Sequence, residues 1–364
     1  MSLLKKWIVR PLIIANIAVI AGMWLLGHAD HINPAHHAGW ETLGLLFPIA
    51  LLANLLFLFF WILFHWRYAW VSLVGFLLCF HPIRIYLPLH LASSTADATL
   101  KVISFNVMYF DRDHIPEDST CHVANYIVES DADLVCLQEA PIGSSYGELI
   151  DSILFRAYPY HIEHRKSPDG DALLLLSKYP ILSSEVIDYE SKSNISAAYV
   201  VNVNGDKMLI VNNHLESNRL TQDEKNEFGE MVKGSLSEKN VKKESWQLFH
   251  KLSEGAHKRA SQAEAVARYV REHRKPGMSV IVAGDFNEQP ISYVCRTIGD
   301  GLTNCYVSSG TGPGFSYHHN HMYVRIDHLF CSEEWVPVRC VVDRKIEQSD
   351  HYPVVCWMKK SPKH

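Results

Sequence analysis

Apolar residues are distributed very unevenly along this chain of 364 residues. Three long apolar segments stand close together near the start, at residues 11–27, 43–64 and 68–91. A helix that crosses a bilayer needs about 20 apolar residues, so the second segment qualifies readily and the first is short but sufficient. The third contains four residues that a spanning helix must accommodate: His81, Pro82, Arg84 and Pro88. The pattern predicts a membrane anchor of about three transmembrane helices in residues 1–91.

The residues that flank these segments predict how the anchor lies in the membrane. Four basic residues share one side if three helices span: Lys5, Lys6, Arg10 and Arg67. Lys and Arg concentrate on the cytoplasmic side, so we predict an inner-membrane protein with residues 92–364 on the extracytoplasmic (periplasmic) side. Arg84 falls on the wrong side and must snorkel from a helix end. A cleaved signal peptide is the alternative for the first segment, but two more apolar segments favour an uncleaved anchor.

Residues 92–364 read as a second domain in which short apolar strands are interrupted by charged helical stretches. The strands are predicted from the runs LKVISFNV, ADLVCLQEA, ALLLLSKYPI, AAYVVNV, KMLIVNNHL and MSVIVAGDFN. Strands outnumber helices and the two do not strictly alternate, so the pattern predicts a layered α/β sandwich rather than a doubly wound sheet. The polar helical segment 218–257 is a lid, a membrane-facing flap or, as its balanced charge favours, a solvated helix pair.

Several of these strands end in polar side chains that suit acid/base or metal chemistry. They are Asn106, Glu139, His214, Asp285, Asn287, Asp327, Asp350 and His351. Residues i and i+2 of an extended chain point to the same face, so Asp285 and Asn287 are predicted to reach one target, and Arg325 and Asp327 are likewise predicted to lie on one face. A carboxylate beside an amide provides a base and a hydrogen-bond donor, which aligning a water on a phosphorus atom requires. We therefore predict that the strand ends converge on one pocket.

Six motifs in this order carry a resemblance to a known family: SFN, LQE, NNHLES, GDFN, RIDH and SDHYPVV. The set resembles the endonuclease/exonuclease/phosphatase superfamily of Mg²⁺-dependent phosphoesterases, over residues 99–360. The resemblance implies a DNase I-like fold, a four-layer sandwich of two packed mixed β-sheets flanked by helices. Met108 stands where some nucleases of the superfamily carry an acidic residue. HLES with Arg219 is similar to the tyrosyl-DNA phosphodiesterase branch, but over too few residues to choose a substrate.

The resemblance also implies a role for each polar strand end. Glu139 looks like the main Mg²⁺ ligand with Asn106 beside it and Asp350 as a further carboxylate, and Mn²⁺ is a substitute ion. Asp285 would activate the attacking water, and Asn287 and His214 would hold phosphate oxygens. His351 would face the phosphate with its ring fixed by Asp327. Arg325 is a further candidate for substrate binding. The base, Asp285 or His351, and the number of ions, one or two, stay open.

Charge and cysteine content narrow the function classes. Residues 92–364 hold all but two of the 39 acidic residues and all but five of the 34 basic ones, so they carry net negative charge. This does not favour nucleic acid as a partner. We expect the bilayer to be bound through residues 1–91 and the substrate to be a phosphodiester or phosphomonoester of a lipid or small headgroup. The alternative is an extracytoplasmic DNA or RNA nuclease, and a non-catalytic binding module is least favoured. Without a CxxC pair a zinc site is not expected, although Cys331 and Cys340 could pair across a hairpin.

Overall fold

Two mixed β-sheets form the centre of the computed structural model, which describes residues 3–91, 93–114, 121–143, 147–167, 170–235 and 238–362. The first sheet has the order β11-β12-β1-β2-β4-β3. Its strands are β1 (Leu100–Asn106), β2 (Leu134–Gln138), β3 (Tyr160–Arg165), β4 (Ala172–Ser177), β11 (Trp335–Val342) and β12 (Val354–Lys360). The second sheet has the order β5-β6-β7-β8-β10-β9. Its strands are β5 (Ile181–Ile187), β6 (Ile195–Val203), β7 (Asp206–His214), β8 (Ser279–Asp285), β9 (Thr303–Asn304) and β10 (Asp327–Cys331).

Each sheet has one parallel pair at its middle, β1 with β2 and β7 with β8, and its other described pairs are antiparallel. The sheets face each other across a core that takes side chains from both, including Val102, Leu175, Ile210 and Ile281. Strands that are covered on both faces are apolar throughout, which is why β4 and β8 are uninterrupted runs of buried residues. The parallel pairs bring four strand ends to one edge of the sandwich.

Helices cover the outer faces of both sheets. On the first sheet they are α6 (His122–Glu129) and α7 (Gly147–Ala157), and on the second α9 (Glu238–His273) and α10 (Tyr293–Ile298). The apolar stripe of α9, with Ala263, Val266 and Val270, packs on the second sheet. This is the four-layer sandwich that the sequence predicted, and the fold class is confirmed. The remaining helices of this part are α8 (Gln222–Val232) and the short α11 (Cys305–Ser309).

The N-terminal helices are α1 (Leu3–Gly27), α2 (Pro34–Gly44), α3 (Phe47–Phe64), α4 (Ala69–Leu78) and α5 (Phe80–Tyr86). Two stretches of the described residues, Trp7–Gly27 and Gly39–Phe64, are long and apolar enough to cross a membrane. A third span arises only if α4 and α5, which are bent by 66°, count as one. Hydrogen bonds among buried polar groups join these helices: Asn16 Nδ2 donates to Asn54 Oδ1 at 3.0 Å, and Trp61 Nε1 and Ser72 Oγ donate to Asn16 Oδ1, each at 2.9 Å.

Helix α2 joins the N-terminal helices to the β-sandwich of residues 92–364 through direct contacts. Thr42 Oγ1 lies 3.0 Å from Ser253 Oγ of α9, and Glu41 Oε1 accepts a hydrogen bond from the Tyr293 backbone N–H at 3.0 Å. Glu41 is buried. The division of the chain at residues 91 and 92 stays a prediction, and the two parts share a packed interface.

The eight cysteines all lie in described residues and are buried, and Cys331 and Cys340 are free thiols. These two residues are therefore not joined in the structure. In the register of the first sheet, Cys340 stands opposite Cys356 instead.

Candidate active site

The candidate active site lies where the carboxyl ends of the two parallel strand pairs meet. Asn106 ends β1 and Glu139 follows β2, while His214 ends β7 and stands opposite Asp285 at the end of β8. Asn106 Nδ2 lies 3.2 Å from Glu139 Oε1 and 3.3 Å from Asp285 Oδ2, so it links the two sheets. The structure thus brings these four predicted residues together, because neighbouring parallel strands end at the same edge.

His351 is held beside Asp285 by a second carboxylate. Its Nδ1 donates to Asp327 Oδ2 at 2.8 Å, and its Nε2 lies 3.7 Å from Asp285 Oδ2. Asp327 reaches this place because it opens β10, where it stands directly opposite Asp285 in the antiparallel register. Burial alone would lower the pKa of His351, but Asp327 and Asp285 outweigh it and raise the pKa to about 10. The ring is therefore an imidazolium near neutral pH.

His214 lies on the other side of Asp285 and is also paired with a second carboxylate, there as an ion pair without hydrogen-bond geometry. Its Nδ1 lies 2.7 Å from Asp171 Oδ2, and its Nε2 lies 3.6 Å from Asp285 Oδ2 and 3.9 Å from Glu139 Oε1. Burial would lower the pKa of His214, and the carboxylates, Asp171 first, outweigh it and raise the pKa to about 10. Two imidazolium rings therefore flank one carboxylate.

Asp171 was missed by the sequence reasoning. It stands immediately before β4 in the turn-like run PDGD, where an acidic residue is ordinary. The signal that it differs is its burial, at 5 % exposure, which the sequence alone does not give.

Asp285 is the buried centre of the cluster, with only 1 % exposure. Burial raises the pKa of Asp285, the flanking imidazolium of His351 lowers it and Asp327 raises it again, with a net pKa of about 6. Its Oδ1 accepts the backbone N–H of Asn287 at 2.8 Å, which leaves Oδ2 facing both histidine rings. A carboxylate with a pKa near neutrality suits proton abstraction from water.

Asn287 is brought to the cluster by a different geometry from the one expected. Strand β8 ends at Asp285, and Asn287 has a left-handed backbone with φ of 52°, so the rule of same-face residues in an extended chain does not apply to this pair. Its side-chain Nδ2 donates to the Leu215 carbonyl at 3.0 Å. The side chain thereby ties the exit of β8 to the exit of β7.

Arg325 is not brought to the cluster. Its guanidinium is buried and donates to two carbonyl oxygens, that of Pro313 at 2.9 Å and that of Ile85 at the end of α5. It also lies over the Tyr306 ring, 4.6 Å from the centroid. The expectation that Arg325 and Asp327 share a face is wrong, because Arg325 precedes β10 and its side chain reaches the Ile85 carbonyl, whereas Asp327 contacts His351.

Glu139, Asn106 and Asp350 are the residues that the sequence predicted as cation ligands. Burial raises the pKa of Glu139, His214 and Asn106 lower it, and Asp171 and Asp350 raise it, so its negative charge is incompletely balanced. Asp350 lies 4.0 Å from His351 Nε2 and is partly open to solvent. Hard cations prefer such oxygen ligands. Among the described residues, Asp285, Asp327 and His351 are the group of three whose possible ligand atoms lie within 4.8 Å of one another, but there His351 Nδ1 is already committed to Asp327.

The fold and the matched residues define the class of protein. Residues 103–351 match the Endonuclease/Exonuclease/phosphatase family, and the chain belongs to this family. Its members are phosphodiesterases, nucleases and phosphatases, so the predicted enzyme class, a metal-dependent hydrolase of phosphate ester bonds, is confirmed. Residues 6–86 match a separate domain of unknown function, DUF8431. No curated protein matches the chain.

Solved structures share the fold at low sequence identity. TDP2 from D. rerio, humanized by 14 mutations, is 20 % identical with a TM-score of 0.52, over 72 % of this chain and 99 % of that one. The human Nocturnin catalytic domain with bound sulfate is 17 % identical with a TM-score of 0.51, over 72 % and 94 %. An endonuclease/exonuclease/phosphatase from Beutenbergia cavernae is 17 % identical with a TM-score of 0.50, over 72 % and 71 %. These likenesses concern the fold and leave the substrate open.

Proposed function

We propose that this protein is a membrane-anchored, Mg²⁺-dependent phosphoesterase that hydrolyses a phosphate ester of a lipid or small headgroup. One observation carries the proposal. Strand β8 ends at Asp285, which belongs to the cluster. Six residues further along the chain, Ile291 lies among the N-terminal helices and packs with Met23, Phe47 and Cys79. The reactive cluster therefore adjoins helices of a length and composition that can cross a bilayer.

The charges of the cluster support Asp285 as the base in this proposal. His351, with its pKa raised to about 10, already carries a proton near neutral pH and so cannot accept one. Asp285, with its pKa near 6, is ionised at neutral pH and can accept the proton of an attacking water. His351 and His214 then supply positive charge and N–H donors as negative charge builds on the phosphate oxygens. Asn287 has its Nδ2 on the Leu215 carbonyl and would keep the exit of β8 in place.

The ion is proposed to bind at Glu139 with Asn106 and Asp350. When bound, Mg²⁺, or Mn²⁺ in its place, would polarise a phosphate oxygen and neutralise charge on the phosphate. In the structure the amide oxygen of Asn106 accepts the Met108 backbone N–H at 3.1 Å, and its amide nitrogen faces Glu139 and Asp285. Ligation by this oxygen therefore needs the amide to turn over.

An extracytoplasmic nuclease is the second candidate. A solved structure of D. rerio TDP2 holds a single-strand DNA product, and it is 18 % identical to this chain with a TM-score of 0.51. The similarity of the HLES segment is the sequence observation behind this candidate. In the structure, however, Arg219 of that segment pairs with the buried Glu216 at 2.7 Å, which gives both residues a structural role.

The proposed location is the inner membrane with the catalytic part on the periplasmic side. The arrangement of Lys and Arg around the apolar segments supports this orientation. A reporter enzyme fused after His364 tests it, because alkaline phosphatase is active only outside the cytoplasm. A fusion that is active only as a cytoplasmic reporter would reverse the orientation.

The activity itself is tested with the full-length protein in lipid nanodiscs and Mg²⁺. Bis(p-nitrophenyl) phosphate, phospholipid vesicles and plasmid DNA are the substrates, and Asp285→Asn is the diagnostic variant. We expect Asp285→Asn to lose at least about 100-fold in kcat, because the base is removed. Asp300→Asn, at an exposed position, is the matched control and should retain full activity. Hydrolysis of none of the substrates, or an unchanged Asp285→Asn, would refute the proposal, while DNA as the preferred substrate would favour the nuclease.

A further inference from the structure

A lysine from α8 stands at the rim of the candidate active site. Lys225 Nζ lies 3.8 Å from Asp350 Oδ2 and 5.5 Å from the centroid of the Tyr317 ring. The same ring meets His351 edge-on, with centroids 5.1 Å apart. The side chain of Lys225 is 24 % exposed, so it borders the site without being buried in it.

The position of Lys225 is fixed by the way α8 packs against the segment 317–324. On a helix, residues three and four apart share a face. Asn226 Oδ1 accepts a hydrogen bond from Asn320 Nδ2 at 3.1 Å, and a Cβ placed on Gly229 would lie 3.6 Å from the Asn320 carbonyl oxygen. The face of α8 that contains Lys225 is therefore the docked face.

Tyr317 and the start of α8, which lie on the two sides of this contact, are each held in place by further interactions. Tyr317 forms an isolated β-bridge with His351, and its backbone N–H donates to the Val324 carbonyl at 2.9 Å. The start of α8 is closed by a capping box between Thr221 and Glu224. Glu224 also pairs with Lys251 of α9 at 2.6 Å, which ties α8 to the long helix. Lys225 is thus presented from a well-anchored helix end.

Lys225 differs from the other described lysines and arginines in its ion-pair partner. Among the described lysines and arginines with ion pairs, Lys225 is the one whose partner is a carboxylate of the site. Those nearby are engaged elsewhere, Arg219 with Glu216 at 2.7 Å and Arg259 with Glu288. The 3.8 Å separation from Asp350 leaves the ammonium group able to move to a ligand. An ion pair of partly exposed side chains at this separation is weak and can be exchanged for another anion.

We propose that Lys225 binds a second anionic group of the substrate, next to the phosphate that is hydrolysed. The inference rests on the proposed function and specifies its substrate class: a phosphate ester whose alcohol part carries a further phosphate or carboxylate. The reacting phosphate belongs at Asp285 and the two histidines, whereas the ammonium group lies beyond Asp350 at the rim. The adjacent Tyr317 ring offers an apolar face to the carbon chain that links the two charged groups.

The test uses two p-nitrophenyl phosphodiesters with glycerol as the second alcohol, without and with a phosphate on its terminal hydroxyl. For the full-length protein in nanodiscs, we expect kcat/KM to be about tenfold higher for the ester with the terminal phosphate than for the one without it, because its KM is lower. Lys225→Ala should abolish this preference by lowering kcat/KM for the phosphorylated ester to the value for the simple diester, while Lys225→Arg should retain most of the preference. Lys233→Ala removes the same charge from an exposed position at the end of the same helix and should change nothing.

A binding measurement keeps the inference independent of turnover. Calorimetric titration of glycerol bisphosphate and glycerol phosphate into the protein with Mg²⁺ should give tighter binding of the bisphosphate, and Lys225→Ala should remove the difference. Equal effects of Lys225→Ala on both ligands and both esters, or no effect, would overturn the role of Lys225. An inactive parent protein, or an active Asp285→Asn, would instead count against the proposed function, so the two failures are distinguishable.

Discussion

Asp285 lies between two imidazolium rings, and each ring depends on its own carboxylate for its charge. Asp327 supports His351, and Asp171 supports His214. Since the rings must be protonated and Asp285 ionised at the same time, the two kinds of group define a window of active pH. The lower edge lies near the pKa of Asp285, about 6, and the upper edge near that of the histidines, about 10.

The pH dependence of kcat/KM tests this arrangement at the level of single residues. Activity should rise as pH increases through about 6, because Asp285 loses its proton, and fall toward about 10, because the rings lose theirs. Asp171→Asn removes the carboxylate that raises the pKa of His214, so the alkaline limb should move to lower pH. Profiles between pH 5 and 10.5 measure the shift, with Asp188→Asn at an exposed position as the control. An alkaline limb that stays in place would refute the role of Asp171.

At the scale of elements, the parallel pair β7–β8 sets the approach of the two strand ends. Gly284, one residue before Asp285, has φ of 138°, and a Cβ placed on it would lie only 2.0 Å from the Asn213 carbonyl oxygen. A residue with a side chain cannot occupy this position without moving one of the two strands. Glycine is therefore required where β8 delivers Asp285 beside His214.

Gly284→Ala is expected to lower the free energy of unfolding by about 2 kcal/mol or more and to reduce activity, because the strand ends must separate. Urea unfolding of the full-length protein in detergent, followed by near-ultraviolet circular dichroism, measures the first effect. Gly22→Ala is the control, since a Cβ there meets no atom within 4 Å. Equal stability of the two variants would mean that β7 and β8 can separate at little cost.

At the scale of the whole molecule, the N-terminal helices and the sandwich share structure and are not joined by a linker alone. Ile291 packs among the N-terminal helices, and Arg325 of the sandwich donates to the Ile85 carbonyl at the end of α5. Both contacts lie on segments that also carry site residues, Ile291 after Asn287 and Arg325 before Asp327. Disturbing the interface should therefore disturb the site.

Ile291→Ala tests this coupling against a core change of similar size elsewhere. Ile150→Ala is the comparison. Ile150, in α7, is equally buried, but it packs in the core of the first sheet and not among the N-terminal helices. Both variants should lose about 2–4 kcal/mol of stability. Well below the unfolding temperature, Ile291→Ala should also lower kcat, whereas Ile150→Ala should not. Equal kcat values for the two variants would show that the interface does not position Asp285.

The sequence predicts those parts of the fold and the site that depend on local patterns, and not those that depend on contacts between distant segments of the chain. Asn106, Glu139, His214 and Asp285 were predictable because strands leave a local apolar pattern and ordered motifs accompany their ends. The roles of residues whose partners lie far away in the sequence could not be predicted. Asp171 looked like a turn residue because its partner His214 is 43 positions away.

Two further residues show the same limit. Arg325 was assigned to the site by local alternation, but carbonyl oxygens from other segments fix its side chain. Lys225 belongs to a polar helix whose docked face appears only when the segment 317–324 packs against it. In each case a contact between segments far apart in the sequence decides where the side chain lies.

The insertion of Ile291 among the N-terminal helices has a consequence for how substrate is encountered. With α1 and α3 in a bilayer, the catalytic cluster would keep a fixed height and tilt relative to the membrane plane. Its search for a lipid ester would then be two-dimensional, governed by lateral diffusion. The relevant concentration would be the mole fraction of that ester in the surrounding leaflet, and diluting the membrane with inert lipid would slow turnover even at constant bulk amounts of protein and substrate.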